Sequence, residues 1–83
     1  MKWRLLLDLD ALEFLASLTA AEERALRVRL RQIQEWPDRF CDFEEADERG
    51  RLLEVNVCSG FEIVYWADLA DRHIKVLRIG PAD

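Results

Sequence analysis

The sequence predicts an α+β domain in which a two-helix hairpin packs on one face of a small antiparallel sheet. Three observations predict it. Apolar residues recur at helical spacing up to Trp36, and after Gly50 the spacing changes to alternation. The turn-forming residues Pro37, Ser59-Gly60 and Gly80-Pro81 fall between these segments. The chain has 83 residues, 51 % of them hydrophobic and 35 % charged, which suits one domain with its own core and excludes a disordered chain.

Trp3 to Leu7 alternates and reads as a first strand. Asp8 or Asp10 then offers a carboxylate to the unpaired N–H groups of a helix start, and Asp10 with Glu13 has capping-box spacing. Leu12, Leu15, Phe14 and Leu18 supply the apolar side of this short first helix, which must lean on a sheet to persist. Thr19 and Glu22 form a second capping box. The helix after it runs to Trp36 and stops before Pro37, which disfavours helical geometry at its predecessor. Leu26, Leu30 and Ile33 make its buried stripe, and Arg24, Arg27, Arg31 and Gln34 the opposite one. Few residues join the two helices, so they form an antiparallel hairpin.

Residues 37 to 50 read as an acidic loop, pinned to the core by Phe40 and Phe43. Leu52 to Cys58 is a strand, Ser59-Gly60 a two-residue turn, and Phe61 to Ala67 the returning strand. After a loop from Asp68 to His73, Ile74 to Ile79 is the last strand, which Gly80-Pro81 stops. The expected order is β-α-α-β-β-β over residues 1–83, a single domain.

Pairing across the Ser59-Gly60 turn sets Cys58 opposite Phe61, Val55 opposite Val64 and Leu53 opposite Trp66. The same parity sets Val64 opposite Leu77 and Tyr65 opposite Val76. One face then gathers Leu53, Val55, Val57, Val64, Trp66, Leu77 and Ile79, and is expected beneath the helices. The other gathers Glu54, Asn56, Phe61, Ile63, Tyr65, Val76 and Arg78, a mixed surface expected either to bind a partner or to lie under the acidic loop.

The formal charge of −5 opposes phosphate backbones, so nucleic-acid binding needs a local basic patch. Cys41 and Cys58 lack the spacing of a zinc site and are expected as free thiols; no metal and no cofactor is implied. Asp8 and Asp10 interrupt the leucines of the N-terminus well short of the ~7–15 apolar residues of a signal sequence. No stretch approaches the ~20 apolar residues of a membrane span, and a cytoplasmic protein is expected.

The element order, the helix ending Ile33-Gln34-Glu35-Trp36-Pro37 and the Gly50-Arg51 strand opening carry a family resemblance. So do the aromatic-ended strand Phe61-Glu62-Ile63-Val64-Tyr65-Trp66 and the strand Ile74-Lys75-Val76-Leu77-Arg78-Ile79. With these features the chain resembles the RelE/ParE superfamily of toxins over nearly its whole length. The resemblance implies a toxin of a toxin–antitoxin system, acting on ribosome-bound mRNA or on a protein target such as gyrase. It also implies a cognate antitoxin and a bacterial or archaeal cytoplasm; a homodimer is a further option. A non-toxic protein of this fold that only binds a partner is the alternative. RNA-cleaving members usually carry basic residues around the open sheet face and a basic or aromatic residue beyond the last strand. Here the tail Gly80-Pro81-Ala82-Asp83 has neither.

RNA cleavage needs a proton acceptor, a proton donor and positive charge at the phosphate. His73, the sole histidine, is the candidate acid or base, with a plain loop residue as the alternative. Arg78 is the candidate phosphate fork, or else pairs with Glu54 or Glu62. Tyr65 is the candidate for base stacking, or packs across strands. Arg51, Arg72 and Asn56 are expected around the same face. Arg24, Arg27 and Arg31 form the concentrated basic surface, for nucleic acid or an acidic partner segment, or as a solvated helix face.

Overall fold

The computed structural model describes residues 2–82. Two helices and five strands follow in the order β1 (Arg4–Leu7), α1 (Leu9–Ala16), α2 (Ala20–Glu35), β2 (Phe43–Ala46), β3 (Leu52–Cys58), β4 (Phe61–Asp68) and β5 (His73–Pro81). They build one sheet in the order β1-β5-β4-β3-β2. The α+β class and the helical hairpin are those expected from the sequence, with two additions. The sheet is mixed, because β1 runs parallel to β5. The acidic loop contains an extra edge strand, β2, antiparallel to β3. Its four residues, Phe-Glu-Glu-Ala, lack the β-branched alternation that marks strands in sequence, and its carboxylates suit an edge that must resist pairing with other chains.

The helix starts follow their chemistry. At α2 the capping box is complete: Thr19 Oγ1 accepts from the Glu22 N–H at 3.2 Å, and Glu22 Oε1 accepts from the Thr19 N–H at 3.1 Å. At α1 the cap residue is Asp8, its side chain makes no capping bond, and Asp10 lies inside the first turn, so the Asp10–Glu13 box does not form. Helix α1 therefore relies on burial of Ala11 and Leu15. Gln34, expected on the solvent side of α2, instead donates to the Trp3 carbonyl at 2.9 Å and ties the helix to the chain entering β1.

At the β3–β4 turn, Ser59 and Gly60 both take positive φ, 55° and 83°, as a primed hairpin turn requires. The expected pairings Cys58–Phe61, Val55–Val64 and Tyr65–Val76 are present. Between β4 and β5 the register shifts at Val64/Tyr65, so Val64 faces Arg78 rather than Leu77. This bulge changes which side chains reach the core. Val76 and Ile79, three apart and so on opposite faces of a regular strand, both turn toward the helices. The last strand also continues through Gly80 to Pro81 instead of ending at Ile79. Proline is tolerated there because β1 pairs with β5 only as far as Val76, which leaves that side of Pro81 an open edge.

The faces of the sheet are reversed relative to the expectation, except that the bulge keeps Ile79 beneath the helices and Arg78 on the open side, as expected. The helix stripe Leu26, Leu30 and Ile33 packs with Ala11 and Leu15 on Ile63, Tyr65, Ile74, Val76 and Ile79. A smaller cluster, Leu53, Val55 and Val64 with Trp66 and Leu77, lies on the other face, which carries no helix. Strand β4 is thus buried on both sides, with Ile63, Val64 and Tyr65 consecutive in the core. Phe40 joins the helix-side core, whereas Phe43 lies half exposed on the β2 edge.

Candidate functional site

The helix-free face is the candidate site. Alternation along the strands brings to it Arg4 and Leu6 from β1, His73, Lys75, Leu77 and Arg78 from β5, and Glu62, Val64 and Trp66 from β4. Leu53, Val55 and Val57 come from β3, and Phe43 and Glu45 from β2. Its centre is apolar and its border is charged. Trp66 lies between two cations: the Arg51 guanidinium carbon is 4.6 Å and the Lys75 ammonium 5.0 Å from its ring centroid.

Each of these cations also meets a carboxylate. Arg51 Nε lies 3.0 Å from Asp47, Lys75 Nζ 3.1 Å from Asp68, and Arg78 Nη2 3.1 Å from Glu62 and 3.4 Å from Glu45. The Arg78–Glu62 pair is one of the two alternatives read from the sequence; Glu54 faces the opposite side. Backbone N–H donation from Arg51 is the main influence holding the Asp47 carboxyl below its ordinary 3.8, and the bond from Lys75 does the same for Asp68. These groups are solvent-facing, so the pairs orient the cations more than they stabilise the fold.

Of the residues singled out in the sequence, His73, Arg78 and Arg51 share this face. His73 and Arg78 stand five residues apart on β5, roughly 16 Å along the backbone at strand rise, and Arg78 is turned to Glu62 and Glu45 rather than toward His73. Tyr65 is not on the face. It is fully buried beneath the helices, and its hydroxyl meets no hydrogen-bonding protein group. Burial, followed by the nearby Glu54, Cys41 and Asp42, pushes its pKa far up. Asn56 is buried on the same helix side, accepting from Arg29 at 3.1 Å and donating to the Phe40 carbonyl and Asp42. It anchors the loop after α2 and so is structural here. Arg72 lies over Trp3, 5.6 Å from the ring centroid, at the margin of the sheet. Arg24, Arg27 and Arg31 are exposed on α2, away from this face, with Arg27 loosely paired to Glu23.

Two residues central to the site, Trp66 and Lys75, were not among the sequence candidates. Alternation in the sequence assigns Trp66 to the face beneath the helices, and the structure has that parity inverted. Cross-strand pairing of Trp66 with Lys75 was the available signal, once the correct face is known. Among the described residues no group of His, Cys, Asp and Glu is placed to hold a metal ion. Among the described residues no helix is long and apolar enough to cross a membrane.

No protein-family model matches the chain, and no curated protein matches it. Solved structures do. The chain is similar to one of the archaeal RelE–RelB complex from Pyrococcus horikoshii, with 20 % identity and a TM-score of 0.78, covering 98 % of this chain and 96 % of that one. It is similar to one of the toxin–antitoxin complex RelBE2 from Mycobacterium tuberculosis, with 13 % identity and a TM-score of 0.79, over 99 % and 100 % of the two chains. For the intact Escherichia coli RelBE complex the values are 19 %, 0.67, and 98 % of each chain. The fold is that of the RelE toxins, and the resemblance read from the sequence holds at the level of architecture along the whole described chain.

Proposed function

We propose that this chain is the RelE-like toxin component of a toxin–antitoxin pair, working in the cytoplasm and held in check by a cognate antitoxin. It acts through the helix-free sheet face. The observation that carries this reading is the Trp66 indole, set on that face between Arg51 and Lys75. When either cation turns from the ring to a phosphate it frees an indole face for a base, so ribosome-bound mRNA is the target this face fits best. The similar chains come from toxin–antitoxin complexes, which supports the antitoxin partner.

The separation of His73 from Arg78 and the burial of Tyr65 favour inhibition by binding over cleavage by this chain's own acid–base groups. Induced expression should arrest growth, and Trp66→Leu, which keeps apolar packing on Leu53, Val55 and Val64 but removes the stacking ring, should relieve the arrest while the protein stays folded, as checked by circular dichroism. Ribosome profiling with 5′-end mapping separates the modes: stalled but intact mRNA marks binding, and new 5′ ends mark cleavage. Arrest with normal translation would redirect the target to a protein such as gyrase.

A second reading, a non-toxic binder, is favoured by one observation: Arg51, Lys75 and Arg78 are already matched by carboxylates. Undisturbed growth at high expression of folded protein would select it.

A further inference from the structure

On the helix side of the molecule, where α2 ends, a cavity of about 570 Å³ opens between Trp3, Trp36 and the neighbouring sheet. We propose that this cavity receives an arginine side chain from a basic segment of a partner protein. Its walls are the two indoles, and Glu35, Asp38 and Glu54 line it against the single guanidinium of Arg39. Among the described residues none of these three carboxylates takes part in an ion pair.

A second, independent feature has the same sign. Helix α2 is 16 residues long and ends here, presenting the negative end of its dipole, yet its last turn holds no basic residue and closes on Glu35. A cation near such an end is stabilising. The guanidinium of this chain that lines the cavity, Arg39, stacks on Trp36 and stands against three carboxylates, which leaves the end net negative. Glu54, half-buried on β3, has its carboxyl pushed above its ordinary 4.5 by burial and then by Glu44, which lies outside the cavity; within the cavity Asp38 adds to the rise, and a bond from Cys41 opposes it.

The indoles favour arginine over lysine, because a planar guanidinium stacks on an aromatic face while its edge donates to carboxylates. Both rings already meet a guanidinium of this chain, Arg39 at 4.3 Å from the Trp36 centroid and Arg72 at 5.6 Å from that of Trp3. The cavity is open and larger than one guanidinium needs, which suits a side chain arriving with its adjoining backbone rather than a free small cation. The site lies on the helix side, away from Trp66, so its occupation and the sheet-face reading are separable.

The probe is the blocked peptide acetyl-Gly-Ala-Arg-Ala-Gly-amide, titrated into the purified full chain and followed by the indole N–H resonances of the three tryptophans. Trp3 and Trp36 should shift saturably while Trp66 stays in place. The citrulline counterpart, which keeps the shape and removes the charge, should give no saturable shift. The double substitution Glu54→Gln with Asp38→Asn should weaken binding about tenfold, as charge-assisted bonds become neutral ones. Trp36→Leu, at an exposed position that leaves the fold intact, should weaken it as well. Equal binding of the citrulline peptide, a shift confined to Trp66, or no saturable shift with the arginine peptide would overturn the proposal. So would guanidinium chloride binding as tightly as the peptide, which would assign the cavity to a free cation. None of these outcomes bears on growth arrest.

Discussion

Replacing Tyr65 by Phe separates a catalytic tyrosine from a buried one, and the two roles predict opposite results. Tyr65 is fully buried on the helix side of β4, and its hydroxyl has no hydrogen-bonding protein partner. A buried polar group left unpaired costs about 1–3 kcal/mol relative to the hydrated unfolded chain. Phenylalanine fills the same space apart from the hydroxyl, whose loss leaves a small void that offsets part of the gain. The net expectation is a stabilisation of about 1 kcal/mol, which for a domain of this size raises the unfolding midpoint by roughly 4–8 °C. Thermal unfolding of both proteins by circular dichroism at neutral pH measures it. The variant should also keep any growth arrest the parent produces, because the ring does not reach the sheet face. A midpoint lowered by several degrees would mean that the hydroxyl is hydrogen-bonded after all. Loss of arrest in a stable, folded variant would mean that the helix side, not the Trp66 face, is the working surface.

Two further expectations concern stability. Thr19→Ala removes the hydroxyl that accepts from the Glu22 N–H, while the backbone N–H of residue 19 can still donate to Glu22, and should cost about 1 kcal/mol, read as a lower urea midpoint at unchanged slope; an unchanged midpoint would show that the hydroxyl adds nothing to the hold of packing on α2. The pH dependence has a definite sign at Glu54. Its carboxyl binds its proton more tightly when folded, so the ion destabilises the fold above the raised value, and that penalty is relieved as pH falls toward the unfolded value near 4.5. Asp47 and Asp68 act oppositely: their lowered values add stability that is present above 3.8 and lost as pH falls through the folded values. Glu54→Gln should therefore be more stable than the parent in urea at pH 7, with the gap closing near pH 4.5; a variant less stable at pH 7 would refute this.

Much of the architecture was legible because it is local. The Thr19–Glu22 box, the Leu26, Leu30 and Ile33 stripe and the Ser59-Gly60 turn are set by neighbours a few residues apart, and each appears where the sequence places it. Strand β2 was not legible, since Phe43–Ala46 pairs with β3 only because the loop after α2 is anchored there. Asp42 Oδ2 accepts from the Val57 N–H at 2.7 Å, and the Asp42 N–H donates to the Val55 carbonyl at 2.8 Å. The candidate site was half legible. His73, Arg51 and Arg78 reach the open face, but Tyr65 and Trp66 exchange the roles expected of them.

By itself the sequence determined the helices, the hairpin and the alternation of strands, because hydrogen bonding and side-chain period act over one or two turns of chain. Which face the helices cover was decided only by tertiary structure. Both faces of β4 are apolar at their centre, Ile63 and Tyr65 on one and Val64 and Trp66 on the other, so composition there does not choose between them. The choice rests on distant contacts: the bulge that turns Ile79 inward, and the Arg29, Asp42 and Phe40 groups that satisfy Asn56 beneath α2. Once Asn56 is paired from within, the more hydrophobic-looking face of β3 is free to stay open, and Trp66 is left at the surface with its two cations.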